Sequence, residues 1–147
     1  MNEKLQQILN MAIKEEEFFK NFYLEAAEKT DVESAKALLK NLSEAEASHK
    51  ERLETLDSEK LGELVIADKI DAIDVAEELA LTPINEFNSL KEIFEFAIKA
   101  EASAKDMYER LGESVDDETA KKLFTLLASE EEKHHDMLAS ELEKIGI

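Results

Sequence analysis

The stretch ASEEEKHHDML, residues 128–138, packs three glutamates and two histidines into the six positions from 130 to 135. Two Glu-x-x-His pairs are present there, Glu131 with His134 and Glu132 with His135, and a third, Glu46 with His49, lies upstream. On a helix, residues three apart project from one face. A carboxylate oxygen and an imidazole nitrogen on one face are donors suited to iron, manganese or zinc. A single pair is a weak signal in a glutamate-rich chain. What decides is whether a pair faces the interior or the solvent, and that depends on the elements carrying it.

Composition narrows the field. The chain has 147 residues and a formal charge of −18, one domain's worth of sequence with enough length to bury a core. That charge disfavours nucleic acid, which attracts Lys and Arg stripes, and it disfavours anionic membrane surfaces equally. There is no Cys, which excludes disulfides, thiolate metal sites and Cys nucleophiles. Neither a signal-peptide apolar region nor an apolar run of membrane-spanning length appears, so a soluble cytoplasmic protein is expected.

Three glycines and one proline leave little to interrupt helices, and apolar residues recur at steps of three and four. The periodicity predicts an all-α chain with four long helices at about 3–28, 31–57, 89–112 and 116–144. Thr30 with Glu33 and Ser89 with Glu92 have the form of capping boxes, and Asp116 that of an N-cap. Short turns make each pair an antiparallel hairpin: about 3–57 and about 89–144, within a single domain over 1–147. The segment at about 58–88 is long enough to cross a bundle, with a short helix expected in KIDAIDVAEELA. Two hairpins and one long crossover make a known four-helix-bundle topology.

The hairpins are copies of one another. Shifted by 85 residues without a gap, 16 of the 44 positions from 10 to 53 are identical. The shift lays Glu16 on Glu101, Tyr23 on Tyr108, Glu46 on Glu131 and His49 on His134. Glu132 and His135 fall on Ala47 and Lys50, so that pair has no counterpart.

Alternating steps of four and three trace one seam per helix. The first runs Leu5, Leu9, Ala12, Glu16, Phe19, Tyr23, Ala26, and the second Ala35, Leu39, Leu42, Glu46, His49, Leu53, Leu56. The third runs Leu90, Phe94, Ala97, Glu101, Ala104, Tyr108, Leu111, and the fourth Ala120, Phe124, Leu127, Glu131, His134, Leu138. Each seam carries one glutamate, and two carry a histidine one turn later. Glu132 and His135 sit one residue off the seam, turned by about 100° toward the flank or solvent.

Burying one ionised carboxylate without compensation costs several kcal/mol, and no Lys or Arg lies on these seams. One or two divalent cations would compensate. Glu16 and Glu46 lie at similar heights, roughly 18–22 Å from their shared turn at about 1.5 Å per residue, and the duplication places Glu101 and Glu131 likewise. One Glu from each of two helices and Glu-x-x-His from each of the other two is the di-iron or di-manganese carboxylate pattern of ferritin-like bundles.

With AIKEEEFFKNFYLEAAEK, AIKAEASAKDMYERLGE, SEAEASHKERL and SEEEKHHDML in place, the chain resembles the rubrerythrin and ferritin-like di-iron carboxylate family over nearly its whole length except the crossover. The resemblance implies Glu16, Glu46, His49, Glu101, Glu131 and His134 as ligands to two iron ions, with manganese or zinc as substitutes. It implies that Glu46 and Glu131 bridge the metals, and that Tyr23 and Tyr108 hydrogen-bond to ligand carboxylates. The outer members of Glu15-Glu16-Glu17 read as solvated, and Phe18 and Phe19 as core or subunit contacts.

Departures shape the expected function. Rubrerythrins usually carry a rubredoxin domain with two Cys-x-x-Cys knuckles; a chain without Cys needs electrons from a separate donor, rubredoxin-like or other. They also typically carry a further glutamate three residues after the third-helix ligand, and here that position is Ala104. Bacterioferritins resemble each other in having a haem-ligating Met where this chain has Ala47, so no haem is expected, nor is a fifth helix that would close a storage cage. The expected activity is a non-haem di-iron oxidoreductase reducing hydrogen peroxide or dioxygen. A ferroxidase is the alternative. A di-iron hydroxylase is a further one, for which Ala12, Ala97 and Ala104 would leave channel space. A homo-oligomer is expected, as a dimer.

Overall fold

The structure is a computed structural model that describes residues 3–56 and 82–146. Its long elements are α1 (Glu3–Lys29), α2 (Glu33–Glu54), α3 (Leu90–Ser114) and α4 (Glu118–Ile145), with a short 3₁₀ turn at Ile84–Glu86. They form the expected all-α four-helix bundle, α1 paired with α2 and α3 with α4. The seams account for this. Every seam residue is buried except Leu56, Leu90 and Ala104, which are partly buried. Burial of a large aliphatic or aromatic side chain contributes about 1.5–3 kcal/mol. Phe94, Phe124, Leu39 and Leu127, all fully buried, are among the main contributors.

The core is in two parts. One cluster joins Leu5, Ile8, Leu9 and Ala12 of α1 to Leu53 of α2, Tyr108 and Leu111 of α3, and Phe124 and Leu127 of α4. The other joins Phe19, Phe22 and Tyr23 of α1 to Leu39 and Leu42 of α2, Phe94 and Ala97 of α3, and Leu138 of α4. The beginning of α1 and the end of α3 thus share one end of the bundle, so these two helices run antiparallel. The turns of the two hairpins lie at opposite ends. Phe18 and Phe19 belong to an aromatic group with Phe22, Phe87 and Phe96, with ring centroids 5.0–5.8 Å apart.

Helix starts differ in detail from the sequence reading. Thr30 does not cap α2. Its hydroxyl accepts from Val32 N at 3.1 Å, a local turn that delays the helix to Glu33, and the N-cap position, Val32, has no side-chain cap. Ser89 does cap α3, accepting from Glu92 N at 3.2 Å, while Glu92 reaches back one residue further than a capping box requires, to Asn88 N at 2.9 Å. The cap of α4 is Asp117 rather than Asp116, accepting from Ala120 N at 2.9 Å. Gly146 ends α4 at φ 69°, the left-handed conformation in which glycine carries no Cβ penalty. The second helix, expected to run to 57, ends at Glu54. Most of the expected crossover, including KIDAIDVAEELA, lies outside the described residues. Among those described, no helix is long and apolar enough to cross a membrane.

Candidate metal centre

Between the two apolar clusters lies a polar layer, set at one depth by the helix lengths. Glu16 precedes the end of α1 at Lys29 by thirteen residues, and Glu46 follows the start of α2 at Glu33 by thirteen. Glu101 and Glu131 stand at the same thirteen-residue offsets from the second turn, Ser114 and Glu118. Glu16, Glu46, His49, Glu101, Glu131 and His134 are all buried, and their donor atoms form two sets. Glu16, Glu46, His49 and Glu131 make one, Glu46, Glu101, Glu131 and His134 the other, the atoms of each lying within 4.8 Å of one another. Glu46 and Glu131 belong to both.

The atoms approach without satisfying one another. His49 Nδ1 lies 2.9 Å from Glu16 Oε2 and 2.8 Å from Glu131 Oε1. His134 Nδ1 lies 3.2 Å from Glu46 Oε1 and 3.5 Å from Glu101 Oε2. Yet Glu16 Oε2, Glu46 Oε1, Glu101 Oε2, Glu131 Oε1 and both Nδ1 atoms are buried with no partner in hydrogen-bonding geometry. Buried polar groups left so are costly. Distances this short with angles this poor describe donors aimed at a common point. Two divalent cations fit that arrangement, since four carboxylates balance their four positive charges. The two imidazole rings stack beside this point, 5.8 Å apart at 13°.

The electrostatics carry the strain of the layer. Burial, then the neighbouring Glu46 and Glu101, raise Glu16 well above the ordinary carboxylate value. Burial, then Glu101 and Glu46, do the same to Glu131. Burial works to raise Glu101 too, but the Glu131 carboxyl and His134 imidazole packed beside it, with the Tyr23 hydroxyl bonded to it, outweigh that and hold Glu101 below its usual value. For His134, burial acts to lower the pKa, and the close approach of the Glu101 and Glu46 carboxylates overcomes it and pushes it up to about 10.

The tyrosines are not equivalent. Tyr23 donates its hydroxyl to Glu101 Oε1 at 2.5 Å, crossing from α1 to α3. The Tyr108 hydroxyl is buried without a hydrogen-bond partner, so the symmetric pair of hydrogen bonds expected from the repeat is present on one side alone. Glu132 and His135 point away from the layer as their offset predicts: Glu132 pairs with Lys105 at 3.4 Å, and His135 lies against Asp136. Glu17 is less free than expected, pairing with Lys50 at 3.1 Å.

One residue was not legible as part of the site. Glu130, on α4, accepts a hydrogen bond from His49 Nε2–H at 3.0 Å, and its other oxygen lies 3.6 Å from Arg52 Nη1. Glu130 lies off the seam, and its counterpart in the repeat is Ala45, so neither periodicity nor duplication marked it. The available signal was its place immediately before a candidate ligand, on the helix facing His49.

An all-α four-helix bundle with a buried carboxylate–histidine layer defines the class. The rubrerythrin family model matches residues 1–82 and 92–147, and the chain belongs to the rubrerythrin family. Among solved structures, a hypothetical protein from Pyrococcus furiosus is similar, with 30% identity and a TM-score of 0.75 over 95% of this chain and 88% of that one. No curated protein matches the sequence.

Proposed function

We propose that the protein is a di-iron carboxylate oxidoreductase that reduces hydrogen peroxide or dioxygen with electrons from a separate donor. The observation that carries this reading is the pair of donor sets sharing Glu46 and Glu131, with buried atoms that lack partners. Glu16, Glu46, His49 and Glu131 would hold one ion, and Glu46, Glu101, Glu131 and His134 the other. A bound pair of iron(II) ions supplies two electrons together, the number needed to reduce peroxide to water.

The chain's own residues supply the setting. Apolar clusters above and below bury the layer, so charge interactions within it are strong. The Tyr23 O–H fixes the orientation of Glu101. Glu46 and Glu131, one from each hairpin and common to both donor sets, would be shared between the two ions.

One observation favours a second reading, iron oxidation of the ferroxidase type. Ala104, partly buried on α3 between Glu101 and Tyr108, puts a methyl group where rubrerythrins typically place another glutamate. One experiment separates the two. Protein loaded anaerobically with two iron(II) per chain is mixed in a stopped-flow instrument with peroxide or with dioxygen. Much faster oxidation by peroxide supports the peroxidase. Faster oxidation by dioxygen, with iron then leaving the protein, supports the ferroxidase.

A further inference from the structure

The duplicated halves differ where they hold their histidines. A neutral imidazole carries one N–H. His49 Nε2 lies 3.0 Å from Glu130 Oε1, and because a carboxylate accepts, this contact assigns the hydrogen to Nε2. Nδ1 is left bare, facing Glu16 and Glu131. Arg52, 3.6 Å from the far oxygen of Glu130, backs the contact. Among the described residues no carboxylate reaches Nε2 of His134, whose close contacts all run through Nδ1. The repeat explains the difference, since the counterparts of Glu130 and Arg52 are Ala45 and Met137. The histidines differ in burial too: the His49 side chain is 0% exposed and that of His134 10%.

Donor strength follows. A histidine that donates the N–H of its non-ligating nitrogen to a carboxylate has its tautomer and ring fixed and becomes a more basic ligand. The hydrogen bond from Tyr23 acts in the opposite sense on Glu101. It orients that carboxylate and draws electron density from it, while Tyr108 gives Glu16 no such bond. Both differences favour the same half.

We propose that Glu130 is a positioning residue that makes the two halves unequal, so that divalent cations bind in two steps, first at Glu16–His49 and then at Glu101–His134. The proposal rests on the dinuclear reading above.

Anaerobic titration of the metal-free chain with cobalt(II), followed by visible absorption and by heat, tests it. The wild type takes up two cobalt ions per chain, the first at least tenfold more tightly. Glu130→Ala weakens binding at Glu16–His49 on the order of 10–100-fold and leaves the intrinsic affinity of Glu101–His134 unchanged. Ala45→Glu supplies the missing carboxylate and tightens the second step; it also provides an independent test if Glu130→Ala fails to fold. With one cobalt bound, the proton on His49 Nε2 gives a shifted, exchange-protected NMR signal that disappears in Glu130→Ala. Two ions bound with equal affinity, or equal weakening of both steps by Glu130→Ala, overturn the proposal and leave the dinuclear centre standing. Fewer than two ions per chain overturns both.

Discussion

Tyr23 on α1 and Glu101 on α3 are joined across the bundle by a hydrogen bond of 2.5 Å, and their counterparts, Tyr108 and Glu16, are not so joined. Both hydroxyls are fully buried, so the same substitution has different consequences at the two sites. Tyr23→Phe leaves Glu101 Oε1 without its donor, a loss of about 1–3 kcal/mol. Tyr108→Phe removes a buried hydroxyl that has no partner, and is neutral or stabilising. Thermal unfolding of the two metal-free variants measures the contrast, and equal losses would contradict it.

Face assignment is tested by stoichiometry. Glu131→Ala and His134→Ala are expected to lower the metal bound per chain from two, whereas Glu132→Ala and His135→Ala leave it at two. Glu132 is exposed and pairs with Lys105, so its loss costs at most about 1 kcal/mol. Equilibrium dialysis followed by elemental analysis gives the answer. Loss of metal in His135→Ala alone would reverse the assignment.

The layer also opposes folding when no metal is bound. Glu16 is buried among other carboxylates. Replacing it with an apolar residue of similar size, Glu16→Met, is expected to stabilise the metal-free protein by about 1–4 kcal/mol. The same variant binds metal poorly, so adding metal raises the melting temperature of the wild type much more. Melting curves of both proteins, with chelator and with cobalt(II), decide this; a less stable metal-free variant would refute it.

The pH profile of the metal-free protein follows from the same groups. Glu16 and Glu131 have pKa values raised above 4.5 in the folded state, and His134 is raised from 6.5 to about 10. The folded chain therefore holds more protons than the unfolded one above pH 4.5, and stability falls as pH rises. The carboxylate share begins to be lost above the unfolded value, and the His134 share is complete below 6.5 and gone above about 10. Glu101, lowered, contributes in the opposite sense: its share is present above 4.5 and lost in acid. The expected net result is a melting temperature that declines from about pH 5 to about pH 10, less steeply in Glu16→Met. Bound metal replaces the protons, so its affinity rises with pH. Circular dichroism melts across this range are the check, and a rising metal-free profile would count against it.

Much of the fold could be read from the chain because the buried stripe and the helical repeat share a period. The seam from Leu5 to Ala26 is buried at each position, Glu16 included, and a glutamate on such a stripe is visible without coordinates. The 85-residue shift separated Glu131/His134 from Glu132/His135 for the same reason. Helix starts were less legible, because Thr30 and Val32 or Asp116 and Asp117 differ by one hydrogen bond and not by pattern. Glu130 and the unequal tyrosines were hidden for another cause. Each depends on which atom of one hairpin meets which atom of the other, and the repeat predicts sameness where substitutions such as Ala45 have broken it.

The common thirteen-residue offset has a consequence for ancestry. Each hairpin brings one glutamate and one Glu-x-x-His at matched height, which is half of the six donors. Two copies of a single hairpin, related by a twofold axis, would assemble the whole set. A shorter forebear acting as a symmetric pair could therefore have gathered the same six donors before its halves were fused. Fusion releases each half from having to serve both sides, and the pairs Ala45/Glu130 and Arg52/Met137 are places where the two halves of this chain have since diverged.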